Sequence, residues 1–393
     1  WTRINNGIAE GAFTRVVRED PARRGLLYAG TELGLFVSFE GGGKWQRLEM
    51  KNMPRVAVHD LLVHPRDNDL VVATHGRGIA IFDDAAVLQQ LTPEIAGKRG
   101  HLFPPRAALR MNRTNNYQMM GDDGFYGPNP APGAMFTYLL GAKPSKEKPV
   151  KLHVFDGKGA KIAEVRNPTG EMGLNRASWN LRHEAPKPRK ERTEGESSEE
   201  GPRGGTPGAV PALPGRYVVK LLLGDEVLSE HPFEVLVDPA IEAKPEDLQR
   251  QFDTAVRLRT MIAGVNQALR DLDQAKAQLE ANEKAASGAA KTRVEAMKKE
   301  LDAAIGRFDA GGVRYRVIKA PKLSEELGPL FGAVAGGNGA PTEAQLNAVN
   351  ELAAIYAIES KAHNAFVTKT LAGWSEELRK LGLLGLTAVK ALP

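Results

Sequence analysis

A repeat with an offset of 44 residues restricts the fold of this chain more than any other feature of the sequence. Residues 21–40 and residues 65–84 align at this one offset. The aligned pairs are Pro21 with Pro65, Leu26 with Leu70, Ala29 with Ala73, Gly34 with Gly78, Leu35 with Ile79, and Val37 with Ile81. Each copy holds two short apolar segments joined by a polar turn with glycine, which is the pattern of a β-hairpin. Because periods of about 40–50 residues built from short strands are typical of β-propeller blades, residues 1–100 are predicted to form such blades.

Length and composition limit the remaining possibilities. The chain has 393 residues, which suits two or three domains better than one core. It contains no cysteine, so disulfides, thiolate metal sites and cysteine nucleophiles are excluded within this sequence. No run of about 18 apolar residues occurs, and no membrane span is predicted. The net charge is +5, but basic residues alternate with acidic ones and form no basic stripe, so nucleic acid is not predicted as a partner.

The segment SFEGGGKW, which begins at Ser38 after the first hairpin, resembles an Asp box. This motif, Ser-x-Asp-x-Gly-x-Thr-Trp, marks bacterial neuraminidase-type repeats. Ser38, Gly42 and Trp45 match it. Glu40 stands where Asp is usual, and Lys44 stands where Thr is usual. In such a turn the small polar side chains bond to their own backbone and the Trp packs between sheets, so the motif predicts a structural role.

Two further segments extend the resemblance. Trp1, followed by TRINNGI, is similar to Trp45, followed by QRLEMKN, so Trp1 is expected to end a preceding box and the propeller to be truncated at its N-terminus. THGRGIAIFDD, residues 74–84, resembles the last blade of bacterial proteins described as sortilin-like or glycosyl-hydrolase-type repeat proteins. The resemblance implies an extracytoplasmic location, whether periplasmic, cell-surface or secreted, with the targeting signal outside this sequence.

Polar residues of the second repeat copy are the candidates for chemistry. Asp69, Asp83 and Asp84 are the candidate catalytic carboxylates, and His75 and Arg77 are candidate ligand contacts at the rim of a blade. Glycoside cleavage requires two carboxyl groups about 5–10 Å apart across the scissile bond, and no such pair can be assigned from the sequence. For His75, Arg77, Asp83 and Asp84 the favoured interpretation is structural, namely that these side chains only satisfy the backbone of a hairpin turn.

A second group, His59, Asp60, His64 and Asp67, has residue types that bind metals. Strand alternation places His59 on the face opposite Asp60 and His64. Because metal ligands must converge, no metal site is predicted, and no cofactor is expected.

The middle of the chain is predicted to be a linker followed by a β-sandwich. Residues 101–149 lose periodicity, and proline and glycine are concentrated in YGPNPAPGA at 126–134, as in a linker or entry segment. Residues 150–239 contain short strands at sandwich spacing. A type I′ turn is expected at Asp156-Gly157 and a second turn at Gly224-Asp225.

This middle region resembles an immunoglobulin-like domain of flagellar hook-capping proteins and secreted bacterial enzymes. The resemblance rests on FDGKG, GLNRASWNL and PGRYVVKL, and it implies that Trp179 is a core residue and that the domain supports a neighbouring module. Residues 186–209 are dense in charge and almost without apolar residues, so a disordered insertion is predicted there.

Residues 240–393 are predicted to form a helical bundle. A long amphipathic helix begins at Pro245, a second helix follows the Ser287-Gly288 break, and Pro341-Thr342 caps a third segment. Folding back within one chain is favoured, and a coiled coil that dimerises the protein is the alternative, so the oligomeric state stays open. This part again resembles the C-terminal region of the sortilin-like repeat proteins.

Three functions fit these features. The favoured one is an exported binding or scaffolding protein that recognises glycan, peptide or protein. The alternative is the non-catalytic C-terminal part of a glycoside hydrolase whose active site lies in blades outside this sequence. A sorting receptor ranks last, since it rests on fold analogy alone.

Overall fold

The computed structural model describes residues 1–50, 52–111, 131–190, 206–311 and 322–392. These residues form four β-sheets followed by a set of helices, so the predicted mixed β plus α class is confirmed. Two expected features lie in part outside the described residues, namely 126–130 of the proline-rich stretch and 191–205 of the charged insertion.

The repeat forms the first two sheets. The first is antiparallel with its four strands in sequence order, and the second has three strands in sequence order. Their bounds are β1 Thr14–Glu19, β2 Leu27–Thr31, β3 Gly34–Ser38, β4 Gln46–Arg47, β5 Val58–Val63, β6 Leu70–Thr74 and β7 Ile79–Phe82. The hairpins expected from the repeat are therefore present, as β2 with β3 and β6 with β7. Apolar side chains of both sheets form one core in which Leu26, Val58 and Leu70 are fully buried.

Two short helices connect this part to the rest. They are α1 Ala86–Gln90 and α2 Pro93–Ala96. Arg23 donates hydrogen bonds to the carbonyl oxygens of Leu88, Gln89 and Leu91, at 3.1, 3.1 and 2.7 Å. The side chain of Gln89 in turn donates to both carboxylate oxygens of Asp20, at 2.9 and 3.0 Å. The end of the second sheet is thus fixed to the loop after β1.

Two sheets form the middle of the chain around a single core. Their strands are β8 Gly100–Leu102, β9 Ala108–Arg110, β10 Ala134–Leu140, β11 Val150–Asp156, β12 Lys161–Glu164, β13 Gly173–Trp179, β14 Gly215–Leu223 and β15 Glu226–Val237. One sheet has the order β13-β10-β8 and the other the order β12-β11-β14-β15-β9. Trp179 is 2% exposed and packs on Tyr217 and Phe233, with ring centroids 5.5 and 6.1 Å apart, as expected for a core residue.

The structure differs from the sequence expectation at the start of this region. Strands β9 and β10 and most of β8 lie within 101–149, where a linker or entry segment was expected. Their apolar side chains, among them Leu102 and Phe136, are fully buried in the middle core. β9 pairs in parallel with the end of β15, a contact between residues far apart in sequence. No local sequence pattern predicts such a strand, because it is only three residues long.

The two expected turns have different outcomes. The turn at Gly224-Asp225 joins β14 to β15 directly, and Gly224 has a φ of 64°. The type I′ turn expected at Asp156-Gly157 is wrong, since positive φ occurs at Gly159 instead. The Asp156 carboxylate accepts the amides of Lys158 and Ala160, both at 2.9 Å, and this side-chain bonding favours a longer turn.

The helices follow the middle sheets. They are α3 Pro245–Ala285, α4 Gly288–Ile305, α5 Leu323–Ala335, α6 Glu343–Ala365, a π-helical turn Phe366–Leu371, and α7 Ala372–Lys380. Pro245 occupies the first turn of α3 as expected, and Thr342 caps α6 by accepting the Gln345 amide at 3.2 Å. Helix α5, which contains Pro329, was not among the predicted helical segments. Among the described helices, none is both long and apolar enough to cross a membrane.

Helix α3 belongs to two cores in succession. Its first part, including Leu258 and Val265, packs with residues of α5 and α6. Its second part, including Leu272 and Leu279, packs with residues of α4 and α7. The apolar stripe that suggested a bundle or a coiled coil is thus covered by helices of the same chain.

Candidate functional site

A cavity of about 660 Å³ lies where the second sheet, the middle core and the end of α5 meet. Residues from loops on either side of β9, from the segment before β10 and from the segment after β13 line it. Four arginines and two aspartates supply its charge: Arg66, Arg106, Arg110, Arg182, Asp67 and Asp84. A cavity of this size suits a small-molecule ligand, and its lining carries a net positive charge.

Arg110 and Arg182 are held on one side of the cavity by a shared segment. Arg110 ends β9 and donates to the Ala212 carbonyl oxygen at 3.4 Å and to Gln251 Oε1 at 2.5 Å. Arg182 pairs through its backbone with Pro211 and donates through Nη1 to the Ala209 carbonyl oxygen at 3.0 Å. Both guanidinium groups are therefore anchored on neutral oxygen atoms of neighbouring residues.

Burial has a clear electrostatic effect on these two groups. It lowers the pKa of Arg182 and of Arg110 from the ordinary value, and the nearby charge of Arg182 lowers the pKa of Arg110 further. Both remain cationic, because arginine is not deprotonated in proteins. Within the described part of the chain, no carboxylate forms an ion pair with either group. The cavity lining thus holds two partly desolvated positive charges, one of which acts electrostatically on the other.

Asp69, one of the expected catalytic carboxylates, serves as an acceptor behind the cavity wall. Its Oδ1 accepts the backbone amide of Asp84 at 2.8 Å and a guanidinium hydrogen of Arg106 at 3.1 Å. Arg106 also donates to the carbonyl oxygen of Asp67 at 3.0 Å. These bonds fix the turn before β6 to the segment before β9.

Asp84 lines the cavity and is 9% exposed. Its φ of 57° places it in the left-handed region, and its Oδ1 accepts the amide of Ala86 at 3.2 Å. Burial raises the pKa of the Asp84 carboxyl above its ordinary value. The side chain supports the start of α1.

Asp83 lies beside Arg176 of β13. Its carbonyl oxygen accepts a hydrogen bond from the Arg176 guanidinium, and its carboxylate is 3.9 Å from the same group. Arg176 also covers the ring of Phe82, with 4.8 Å between its Cζ atom and the ring centroid. Asp83 therefore connects the second sheet to the middle core.

His75 and Arg77 are exposed in the turn between β6 and β7, away from the cavity lining. The His75 ring stacks on the ring of His59 with 4.8 Å between centroids. Neither residue lines the cavity with Asp84.

The residues weighed as metal ligands separate into pairs. Asp60 forms an ion pair with Arg18 at 2.8 Å, and His64 Nδ1 is 3.4 Å from Asp67 Oδ2. A β-bulge between Val58 and Asp60 breaks the strict alternation assumed for this strand, so His59 and Asp60 are both exposed. Across the described ranges, no three histidine or carboxylate side chains are grouped as a metal site requires.

The Asp-box-like segment has the bonding expected of a structural turn. Ser38 Oγ accepts the amide of Gly42 at 3.0 Å and that of Glu40 at 3.4 Å. Trp45 is 4% exposed, and its Nε1 donates to the Ile4 carbonyl oxygen at 2.6 Å. Glu40 is exposed at the turn. The segment holds the end of β3 and contributes nothing to the cavity.

Arg110 and Arg182 were not identified from the sequence as site residues. Each arginine directly follows a leucine, in ALR at 108–110 and in NLR at 180–182. An arginine beside buried apolar residues is the signal that could have indicated them, because arginine is rarely buried without a reason. Their convergence depends on long-range pairing that the sequence does not show.

Comparison with known proteins adds no assignment to this geometry. No protein-family model matches the chain, and no curated protein matches it in sequence. The cavity and its charges therefore carry the functional argument.

Proposed function

We propose that this chain is a binding and scaffolding part of an exported β-propeller protein, with the ligand held in the cavity next to Arg110 and Arg182. The single observation that carries the proposal is the cavity of about 660 Å³, which is lined from three regions of the chain and holds two arginines without a carboxylate partner in the described residues. Glycan, peptide or protein segments that fit such a cavity are the ligand classes considered.

The repeat supports the propeller part of this proposal. Two sheets built from copies 44 residues apart share one core, and Ser38 bonds to the backbone of its own turn while Trp45 is buried. Apolar side chains remain exposed on these sheets, for example Leu62 at 54% and Ile79 at 69%. Further blades packed beside them would cover such residues. The assignment to sortilin-like or glycosyl-hydrolase-type repeat proteins, and with it an extracytoplasmic location, belongs to the same proposal.

The middle sheets support an immunoglobulin-like supporting module. Two sheets enclose one core, and Trp179 lies at its centre against aromatic rings of the other sheet. Such an arrangement of short, mostly antiparallel strands is compatible with a sandwich. Its role in the proposal is to place Arg182 and the segment 209–212 at the cavity wall.

Binding is favoured over catalysis because the three candidate carboxylates already interact with backbone amides or with arginines. Asp69 accepts from an amide and from Arg106, Asp83 lies against Arg176, and Asp84 accepts the amide of Ala86. A glycosidase would instead need two carboxyl groups facing each other across bound sugar.

A ligand screen on the whole chain tests the proposal. Thermal-shift and calorimetric measurements with neutral and acidic glycans, short peptides and small organic acids should identify a ligand that binds without turnover. Ala107→Trp places a large ring in the cavity lining and should abolish this binding. Ala142→Trp, at an exposed position outside the lining, is the matched control and should leave it unchanged.

Mass spectrometry of the same mixtures tests the enzyme alternative. The proposal predicts intact ligands after long incubation. Product formation that Asp84→Asn abolishes would replace the binding role with a hydrolytic one, whereas binding that is unaffected by Ala107→Trp would move the ligand elsewhere.

A further inference from the structure

Two partly buried guanidinium groups, those of Arg110 and Arg182, line the cavity, and their hydrogen-bonding capacity is only partly used. A guanidinium has five N–H donors. The Ala209 carbonyl oxygen engages Nη1 of Arg182, and the Ala212 carbonyl oxygen and Gln251 engage the two Nη atoms of Arg110. No residue in the described ranges accepts from Nε or Nη2 of Arg182, or from Nε of Arg110. These donors are available to a group in the cavity.

The net positive charge of the lining favours an anionic ligand. Asp67, one of the two lining carboxylates, is already bonded to Arg66, at 2.6 Å. Asp84, the other lining carboxylate, is buried and accepts the amide of Ala86 at 3.2 Å. Leaving two desolvated positive charges adjacent is unfavourable, and an oxyanion between them would offset that cost.

Apart from Asn68 and Asn180, the rest of the lining is apolar. Pro104, Pro105, Leu109, Met111, Met135 and Leu181 supply this surface. Inorganic ions are too small to cover it, whereas an organic body of aryl or alkyl type would fill the volume next to the arginines. The arginines therefore suit an anionic group of the ligand, and the apolar part of the lining suits its organic body.

We infer that the cavity binds a small organic anion whose carboxylate or phosphate group is held between Arg110 and Arg182, with its apolar body on the proline and methionine side chains. This inference rests on the proposed binding function and defines its ligand class. Charge-assisted hydrogen bonds from arginine suit both kinds of oxyanion, since the planar fork of donors matches either.

Calorimetry on the whole chain provides the test, with phenyl phosphate, phenylacetate and neutral benzyl alcohol as probes. At least one of the two anions should bind about tenfold or more tightly than benzyl alcohol, because hydrogen bonds to charged groups supply that difference. The anion that binds more tightly identifies the ligand as a phosphate ester or as a carboxylic acid. Failure of both anions to bind at millimolar concentration overturns the inference.

Substitutions locate the site. Arg182→Gln and Arg110→Gln should each weaken the anion about tenfold or more while leaving benzyl alcohol unaffected. Arg216→Gln is the matched control, because its side chain is 86% exposed on the middle sheet and outside the cavity lining. Loss of affinity that is equal for anion and alcohol would also overturn the inference.

Two further measurements keep the test decisive. If a glutamine variant fails to fold, Arg110→Lys and Arg182→Lys keep the charge, and each should retain binding with reduced affinity because one ammonium replaces a fork of donors. A neutral ligand that binds and is blocked by Ala107→Trp, with no anion binding, would reject this inference and leave the proposed binding function intact.

Discussion

Gly30 of β2 and Val58 of β5 bring the first two sheets into direct contact: a β-carbon at position 30 would lie 2.8 Å from the Val58 carbonyl oxygen. It would also lie 2.7 Å from Cγ1 of Val16 and of Val58. Gly30→Ala should therefore lower the free energy of unfolding by about 1–3 kcal/mol, as overpacking does. Urea denaturation followed by tryptophan fluorescence measures the change. Gly373→Ala, in open space within α7, should instead stabilise by about 0.5–1 kcal/mol.

Ser38 stabilises the turn after β3. Its buried hydroxyl accepts the amides of Gly42 and Glu40, so Ser38→Ala should leave these donors without a partner and cost about 1–3 kcal/mol. Ser145→Ala is the matched control, because Ser145 accepts the Lys148 amide in an exposed turn where water can replace it. Equal midpoints of chemical denaturation for the two variants would contradict the structural role assigned to Ser38.

Tyr28 donates its hydroxyl to the Asp20 carboxylate at 2.9 Å, and both residues are buried. Tyr28→Phe should cost about 1–3 kcal/mol by removing this donor. Tyr356→Phe is the control, since the structure shows no hydrogen bond from the Tyr356 hydroxyl to any residue it describes.

The cost of Tyr28→Phe should also depend on pH. Burial, and then Asp20, raise the pKa of Tyr28 well above 10 in the folded protein. The tyrosine contribution is fully present below the unfolded pKa of about 10 and is lost as pH rises above it. The difference between variant and parent in urea midpoint should thus narrow above pH 10, and a constant difference would contradict this account.

His363 is 2% exposed, and neither ring nitrogen has a hydrogen-bond partner in the described structure. Burial lowers its pKa, although Asp271 opposes the shift. Because the folded pKa lies below the unfolded value of about 6.5, stability is retained above that pH and lost as pH falls below it. His363→Met should raise the melting temperature more at pH 5 than at pH 8. An equal change in melting temperature at the two pH values would contradict this account.

The elements that were predicted correctly from the sequence are those that depend on interactions between residues close together in the chain. The hairpins β2–β3 and β6–β7 lie within the two copies of the repeat, 21–40 and 65–84, as expected. Each has short apolar segments on either side of a turn with glycine. The start of α3 at Pro245 and the Thr342 cap of α6 were likewise predicted, since first-turn proline and a capping threonine act within one helical turn.

Long-range pairing accounts for what the sequence did not show. β9 is three residues long and joins β15 in parallel, so nothing local distinguishes Ala108–Arg110 from a loop. Arg110 and Arg182 become neighbours only through this pairing and through the bridge from Arg182 to Pro211. The carboxylates Asp69 and Asp84 were visible in the sequence as polar loop residues, but their use by the backbone became apparent only in the structure.

The buried amide of Gln251 connects the cavity to the helical region. Its Oε1 accepts a hydrogen bond from Arg110. Its Nε2 donates to the carbonyl oxygens of Val334 and Gly337 at 2.9 and 2.7 Å. Gln251 is 1% exposed, so water cannot take over these bonds. If the proposed ligand draws Arg110 toward itself, we expect the bonds of Gln251 to transmit this change to the C-terminal end of α5. By reciprocity, a partner that repositions this end would then change the affinity of the cavity for its ligand.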